Sequence, residues 1–197
     1  MTVNIEDLTP FDIPPDWTNG IPETRSWLTN VLQGYDNSEQ RIQLRRRERA
    51  VITFDMMTVE IEEFEYLRNL LWVTQANYYA VPLWMDGVRL ESVITPGDTA
   101  ITVDTSFARF ADLEGIMITR GVRETELRRI HDVGDGVLNL SSPVEGSFDP
   151  ADGETWVIPF LIGRLTDKVD HAITASRVQS GKLDFTCEYI TLLEEGS

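Results

Sequence analysis

The stretch ETWVIPFLIGRL (Glu154–Leu165) decides the fold, because most of its residues are apolar. A short apolar run with β-branched and aromatic residues is typical of a strand at the centre of a sheet. Pro159 has no amide hydrogen to donate, so we expect it at a bulge or at an edge of that sheet. The stretch therefore predicts a protein organised around a β-sheet.

Further strand patterns lie on both sides of this central run. After it, HAITASRVQSGKLDFTCEYI (His171–Ile190) predicts a hairpin about Ser180-Gly181. The second strand of that hairpin alternates apolar Leu183, Phe185 and Cys187 with polar residues. Before the central run, strand-like patterns occupy Glu39–Arg45, Arg49–Met56, Tyr78–Glu91, Ala100–Asp104, Leu113–Thr119, Glu126–Ile130 and Gly136–Leu140.

Two segments predict helices. In TRSWLTNVLQGY (Thr24–Tyr35) the apolar residues recur at helical spacing, and Gly34 suits the carboxyl-terminal end of a helix. From Thr58 to Trp72 the apolar stripe is longer, and glutamates crowd the first turns, where they complement the positive end of the helix dipole. Together these patterns predict the fold class: mainly β with one or two helices, an α+β protein.

Residues 1–24 predict an extended arm. They include four prolines, which fix φ and remove amide donors. Phe11, Ile13 and Trp17 are bulky and apolar, so we expect the arm to pack against a surface.

The charge of the chain is large and unevenly distributed. Its 197 residues include 33 acidic and 17 basic side chains, a net charge of −16 at a hydrophobic content of 42 %. This hydrophobic content is enough for a sizeable core, and the acidity argues against a stand-alone nucleic-acid binder. Fifteen of the basic residues are arginine, and five of these lie in Arg41–Arg49, a window that carries +4.

This arginine-rich window admits three interpretations. The first is a solvated hairpin. The second is an interface, because the planar, multidentate guanidinium pairs well with carboxylates, and head-to-tail contacts between copies can close into a ring. The third is nucleic-acid binding, which the charge of −20 on the rest of the chain disfavours. The candidate interface residues are Arg41, Arg45, Arg46, Arg47 and Arg49.

The sequence contains no persuasive catalytic constellation. His131 and His171 are flanked by acids, and neither has a partner at metal-ligand spacing. The single cysteine, Cys187, predicts a small buried hydrophobe. The acidic loops Pro96–Thr99 and Asp152–Thr155 lack the ligand pattern of a calcium loop and predict β-turns. We therefore expect no catalytic residues, no metal and no cofactor.

The same residues bear on location. No apolar run reaches the length of a membrane span, and the acidic, Pro-rich amino-terminal stretch lacks the pattern of a signal peptide. We expect a protein that folds in a cytoplasm.

Several motifs follow one another in a distinctive order. They are Tyr35, Ser38-Glu39-Gln40-Arg41 with its string of arginines, the Arg49–Met56 strand, the Thr58–Trp72 helix, YYAVPLW (Tyr78–Trp84) and the closing Lys182–Ile190 strand. This order resembles that of the distal tail and minor tail proteins of long-tailed bacteriophages. In that family a split β-barrel with one helix on its side is built from residues near both ends of the sequence, and copies assemble as a hexameric ring.

The resemblance implies a division of the chain into an arm (1–24), a ring-forming split β-barrel domain (25–84 and 156–197) and an inserted β-module (85–155). It also implies a structural virion component at the tail tip or baseplate, synthesised in the host cytoplasm. Its partners would be further copies of itself, the tail tube and the tail-tip or hub proteins. The resemblance carries over no catalytic residues, and we expect no membrane and no specific nucleic acid as partner.

Two further hypotheses belong to other functional classes. The first is a carbohydrate-binding β-module that contacts the host surface, with Tyr78, Tyr79 and Trp84 as a stacking surface. It predicts a monomer whose tryptophan fluorescence changes when host polysaccharide is added. The second is an enzyme acting on the cell envelope, which would need a pair of carboxylates held at a defined separation.

Overall fold

The computed structural model describes residues 2–33, 39–44, 48–58, 60–73, 77–152, 155–166, 170–175, 178–188 and 191–192. Within these residues the chain is mainly β with one α-helix, α1 (Ile61–Val73), so the predicted α+β class is confirmed. The strands are β1 (Thr2–Val3), β2 (Thr9–Pro10), β3 (Glu23–Ser26), β4 (Thr29–Gln33), β5 (Glu39–Gln43), β6 (Arg49–Thr58), β7 (Tyr79–Pro82), β8 (Val88–Arg89), β9 (Ala100–Thr102), β10 (Gly115–Thr119), β11 (Thr125–Val133), β12 (Val137–Leu140), β13 (Trp156–Leu165), β14 (Asp170–Ala175), β15 (Val178–Glu188) and β16 (Thr191–Leu192).

Twelve of these strands form one branched sheet. Its main path runs β3-β6-β15-β13-β10-β11-β12-β9, and β2, β7, β8 and β14 pair beside it. Two pairs stand apart from this sheet: the parallel pair β1–β16 and the antiparallel pair β4–β5. In the described part of the chain, no helix has both the length and the apolarity needed to cross a membrane.

β13 lies at the centre of the sheet, as its apolar sequence predicts. Its first half pairs with β8 and β10, and its second half pairs with β7 and β15, so each half has a strand on both sides. Pro159 lies where these neighbours change. Its carbonyl accepts a hydrogen bond from the Leu83 N–H (2.9 Å). The nitrogen and the carbonyl oxygen of a strand residue point to the same side of the strand. The Pro159 nitrogen therefore faces the interval between β8 and β7, where its missing N–H interrupts no strand pairing. The expected bulge or edge position is therefore wrong.

The first core lies where the arm, β6, β7 and β15 meet. The rings of Phe11, Phe54, Tyr79 and Phe185 are fully buried, and the centroid of Phe185 lies 4.8–5.8 Å from those of the other three. Because Phe11 belongs to the arm, the arm completes this core. The prediction that the arm packs is confirmed for Phe11 and Ile13, but it is wrong for Trp17, which is 58 % exposed.

β13 also joins this core to two others. The second core is built from residues between Leu90 and Val157, and the third contains residues from the beginning of the chain together with Leu192. Val157 faces the second core, Ile158 the third and Leu161 the first. One strand thus connects all three cores. The split β-barrel and the division into arm, ring domain and inserted module stay predictions.

The helix expected over Thr24–Tyr35 is wrong. Its described part forms β3 and β4 instead. Leu28 and Leu32 are four residues apart, a spacing that places them on one face of a helix but also on one face of a strand. The pairing of Thr24 with Val51 of β6, which is distant in sequence, decides between the two. The hydrophobic periodicity of a segment gives no information about a partner strand, such as β6, that is distant in sequence.

Two other boundaries differ from expectation. The helix predicted from Thr58 is confirmed but begins at Ile61, because Thr58 is still paired within the sheet. The predicted hairpin is confirmed as the pair β14–β15, but Ser180 and Gly181 lie within its ladder, opposite Ala172 and His171. Gly181 sits inside the ladder opposite Met56 and does not adopt the positive φ of a turn glycine.

Candidate functional site

Strands β4 and β5 form a ribbon outside the large sheet. Their register runs from Thr29 opposite Gln43 to Gln33 opposite Glu39. A backbone hydrogen bond from the Leu44 N–H to the Leu28 carbonyl (2.9 Å) continues the ladder by one pair. Across the described ranges, neither strand has another strand beside it. All five residues of β4 are exposed, so this hairpin faces water along its length.

One face of the β4–β5 hairpin is mainly aliphatic. Side chains alternate across a strand, so the even-numbered residues of this register share one face. That face carries the aliphatic Leu28, Leu32, Ile42 and Leu44, each between 38 % and 57 % exposed, together with the polar Asn30 and Gln40. We call the four aliphatic side chains the apolar hairpin face. Grouped apolar side chains in water are typical of an interaction surface.

The structure describes two of the five candidate interface arginines. Arg41 lies on β5 and is exposed, and its Nε donates to a carboxylate oxygen of Glu39. Arg49 begins β6 and pairs with Glu188 on the neighbouring β15. Arg45–Arg47 lie outside the described residues. Arg41 and Arg49 therefore already have carboxylates within the chain, and a role between subunits stays a prediction.

A cluster of ion pairs fixes the base of the hairpin. Glu23 on β3 lies between two guanidiniums, with Arg25 at 2.8 Å and Arg109 at 3.7 Å. Arg25 also reaches Glu48 (3.3 Å), and Arg109 reaches Asp86 (2.6 Å). Glu23 and Asp86 are mostly buried, so these contacts are screened by solvent less than surface pairs are. The cluster connects β3, which precedes the hairpin, to Glu48, which follows it, and to the distant residues Asp86 and Arg109.

The three predicted stacking residues do not form one exposed surface. Tyr79 is fully buried, and its hydroxyl donates to the Leu70 carbonyl (3.2 Å), so the prediction of a stacking role is wrong for this residue. Trp84 is partly buried against the first and third cores. The ring of Tyr78 is covered by the guanidinium of Arg164, 4.0 Å from its centroid. The geometry therefore does not favour sugar stacking at this place.

The candidate catalytic and metal residues are not brought together. His131 lies exposed on β11, and His171 lies on β14. Pro96–Thr99 contains the predicted turn, closed by a bond from the Asp98 N–H to the Thr95 carbonyl (3.1 Å). Within the residues that the structure describes, no group of three His, Cys, Asp or Glu side chains is placed to hold a metal ion.

The predictions for Cys187 and for the second acidic loop have different outcomes. The prediction for Cys187 is confirmed, because its side chain is buried, and this burial raises the pKa of its thiol. The other acidic loop, Asp152–Thr155, includes residues 153–154, which lie outside the described residues.

Asp12 is a buried carboxylate that the sequence did not single out. It is 1 % exposed and accepts hydrogen bonds from the Tyr66 hydroxyl (2.9 Å), the Arg123 N–H (2.8 Å) and the Thr125 hydroxyl (3.1 Å). Burial raises the pKa of Asp12, and burial beside this carboxylate raises the pKa of Tyr66. The network joins the arm, α1 and the turn between β10 and β11. Its partners are far apart in sequence, so no local motif reveals it.

A groove lies between the beginning of the chain and β11. Its volume is about 500 Å³, within the usual range for binding pockets. The apolar part of its lining includes Ile5, Leu8, Pro10, Leu127 and Pro143. Ile5 and Leu8 are buried, whereas Pro143 is exposed at the surface. The groove thus combines an apolar floor with an accessible rim.

The rim of this groove is acidic. Glu126 and Arg128 pair with one another, and Glu126 also accepts from the N–H groups of Glu145 (2.7 Å) and Gly146 (2.9 Å). The carboxylates of Glu145 and Glu6 remain exposed to solvent; Glu145 is 89 % exposed even though it lies 3.3 Å from Arg128. The lining therefore carries three carboxylates against one guanidinium. We call it the acidic groove.

The strand predicted over Glu39–Arg45 is confirmed as β5, but neither its pairing with β4 nor the groove was predicted from the sequence. The hairpin was concealed because its apolar spacing also fits a helix, although the β-branched Thr29 and Val31 favoured a strand. The acidic groove brings the beginning of the chain to β11 and to Pro143, a juxtaposition that only the fold creates. No family model matches the chain, and no curated protein matches it in sequence. The site must therefore be interpreted from its own geometry.

Proposed function

We propose that this protein is a structural component of a bacteriophage tail tip or baseplate, a distal tail or minor tail protein that acts by assembly and not by catalysis. The observation that carries the assembly role is the apolar hairpin face. It is the part of the described surface where large apolar side chains are grouped on a ribbon with no sheet behind it.

The energetics of a hairpin support this role. An isolated two-stranded hairpin is at best marginally stable in water, and a third element against one face stabilises it. Burial of a leucine or isoleucine side chain contributes about 1.5–3 kcal/mol relative to full exposure. Four half-exposed side chains of this kind would gain part of that free energy on a partner. A chain that leaves them exposed as a monomer is suited to a role in a larger assembly.

The assignment to a phage tail rests on the resemblance in sequence. Its described motifs have the secondary structure that the resemblance requires: β6 covers Arg49–Met56, α1 covers most of Thr58–Trp72, and β7 lies within Tyr78–Trp84. The described part of the closing motif Lys182–Ile190 lies in β15, which ends at Glu188. The order of these elements supports a ring-forming protein that joins the tail tube to the tip.

Electrostatic contacts complete the proposal. The Arg41–Arg49 window carries +4, while the rest of the chain carries −20. Pairs formed between such surfaces are individually weak and are screened by salt, but closure of a ring makes them cooperative. Assembly should therefore weaken as the ionic strength rises.

The test is the oligomeric state in solution and the position in the particle. Light scattering and native mass spectrometry of the full chain, at low and high salt and over a range of concentrations, should show a closed oligomer of six copies that dissociates in salt. Cryo-electron microscopy of assembled tails should locate the chain at the tip. A monomer under every condition, with no density in tails, would contradict the proposal.

A further inference from the structure

The loop between the arm and β3 contains the pair Asn19-Gly20, which has no part in the proposed function. Backbone hydrogen bonds to β6 hold the chain on both sides of this pair. The Asp16 N–H donates to a carbonyl of β6 (2.7 Å), and the Pro22 carbonyl accepts from an N–H of β6 (3.0 Å). Asn19 therefore lies in an exposed loop that is fixed at its two ends.

The surroundings of Asn19 leave its side chain accessible to the nitrogen of the next residue. Asn19 is exposed, and the described residues offer no hydrogen-bond partner to its side-chain amide or to the Gly20 N–H. Gly20 has a φ of +72°, and a Cβ atom built on it would have nothing within 4 Å. A residue with a side chain would be strained at this φ and would crowd its own nitrogen, whereas glycine does neither.

We propose that Asn19 is a modification site, at which the folded chain deamidates to aspartate and isoaspartate. The Gly20 nitrogen loses its proton to solvent and attacks the side-chain carbonyl carbon of Asn19. A new carbon–nitrogen bond closes a cyclic imide, and the bond to the amide nitrogen breaks, so that this nitrogen takes up a proton and leaves as ammonia. Water then adds to one of the two imide carbonyls and opens the ring. Opening at the side-chain carbonyl gives aspartate, and opening at the main-chain carbonyl gives isoaspartate.

Both products change the loop and spare the anchors of the arm. Each adds a negative charge to a loop that already carries the Asp16 carboxylate, and isoaspartate also lengthens the main chain by a methylene group. The Asp16 carboxylate is held locally, by the Thr18 N–H (3.0 Å) and the Thr18 hydroxyl (2.6 Å). Phe11 and Asp12, which fix the arm to the rest of the protein, are buried and lie outside the loop. We therefore expect the modified chain to keep its fold.

Asn30 provides a matched comparison within the same chain. It is also exposed, but it lies in the β4–β5 ladder, opposite Ile42, and is followed by Val31. The branched Val31 side chain crowds its own nitrogen, and the ladder keeps the backbone of Asn30 extended. Asn19 should therefore deamidate at least about tenfold faster than Asn30 in the folded protein.

Incubation of the full chain at mildly alkaline pH, followed by peptide mapping with mass spectrometry, measures deamidation at each asparagine. Methyl transfer by an isoaspartyl methyltransferase counts the isoaspartate separately. Asn19→Gln keeps an amide at this position but adds a methylene group that disfavours ring closure, so it should remove the main acidic species seen on isoelectric focusing. Asn30→Gln makes the same change in the β4–β5 hairpin and should leave that species unchanged. Normal folding of each variant is checked by circular dichroism.

A parallel incubation in guanidinium chloride separates the folded loop from the dipeptide itself. Deamidation at Asn19 in the folded chain, at a rate comparable with that of the unfolded chain and well above that of Asn30, supports the inference. If Asn19 stays intact in the folded chain, or reacts no faster than Asn30, the inference is overturned even when the unfolded chain reacts. An acidic species that persists in Asn19→Gln overturns it as well. None of these outcomes depends on the oligomeric state, so each leaves the proposed function standing.

Discussion

Two hairpins of equal length have opposite surroundings in this protein. The β4–β5 and β10–β11 ladders each contain five residue pairs. Every residue of β4 is exposed, whereas every residue of β10 is buried. The difference lies in the neighbours, because β10 pairs with β13 on its other side and its faces meet two cores. A hairpin with apolar side chains thus needs a partner, and β4–β5 has none within the described sheet.

The largest expected effect compares the same substitution in both hairpins. Ile116 on β10 is fully buried, and Ile42 on β5 is 38 % exposed. Ile116→Ala should lower the free energy of unfolding by about 2–5 kcal/mol, because it removes buried methyl groups and leaves a cavity. Ile42→Ala should change it by less than about 0.5 kcal/mol in the monomer. Urea unfolding at high ionic strength measures both. Equal losses would show that β4–β5 is buried in the monomer.

Gly115, the first residue of β10, shows how closely this strand packs against Phe160. A Cβ atom at Gly115 would lie 2.3 Å from a carbon of the Phe160 ring. Gly115→Ala should therefore destabilise the protein by about 1–3 kcal/mol through overpacking. Gly134→Ala is the matched control, because its nearest neighbour, the Val137 carbonyl, would lie at 3.5 Å and its φ is not positive. Similar melting temperatures for the two variants would contradict the close fit of β10.

The comparison also shows what the sequence could predict. The central strand, β6, β15 and α1 were recognisable because their hydrophobic pattern has a single interpretation. The β4–β5 hairpin was not, because Leu28 and Leu32 fit both periods and the residues that decide between them are on distant strands. The acidic groove and the Asp12 network could not be predicted at all. Each joins residues separated by more than 50 positions, and no local rule connects them.

A smaller effect is expected at the anchored turn of β10–β11. Tyr66 on α1 donates to Asp12, which in turn holds the Arg123 N–H and the Thr125 hydroxyl at this turn. Tyr66→Phe removes one donor from a buried carboxylate and should cost about 1–2 kcal/mol. In an Asp12→Asn background the same change should cost less, since the residues act as one network. Additive losses in this double-mutant cycle would contradict the coupling.

The smallest expected effect is a difference between Asp12 and Asp98 in how each makes the stability of the protein depend on pH. Burial raises the pKa of Asp12 above its ordinary value of 3.8, so folding binds a proton there. Its contribution to stability is complete below the unfolded pKa and is lost as the pH rises through the folded pKa. Asp98, which is exposed, has its pKa lowered by hydrogen bonds from Thr95, so its contribution is present above 3.8 and is lost as the pH falls through the folded value.

The two variants should therefore change the pH profile of stability in opposite directions. Between pH 7 and pH 3, wild type should gain stability on acidification relative to Asp12→Asn and lose it relative to Asp98→Asn. Thermal unfolding monitored by circular dichroism across this range measures both differences. If the Asp12→Asn profile ran parallel to wild type, the carboxylate would titrate as it does in the unfolded chain. The burial of Asp12, which raises its pKa, and its hydrogen bonds from Arg123, Tyr66 and Thr125, which lower it, would then cancel, and this turn would add no pH dependence to the contrast between the two hairpins.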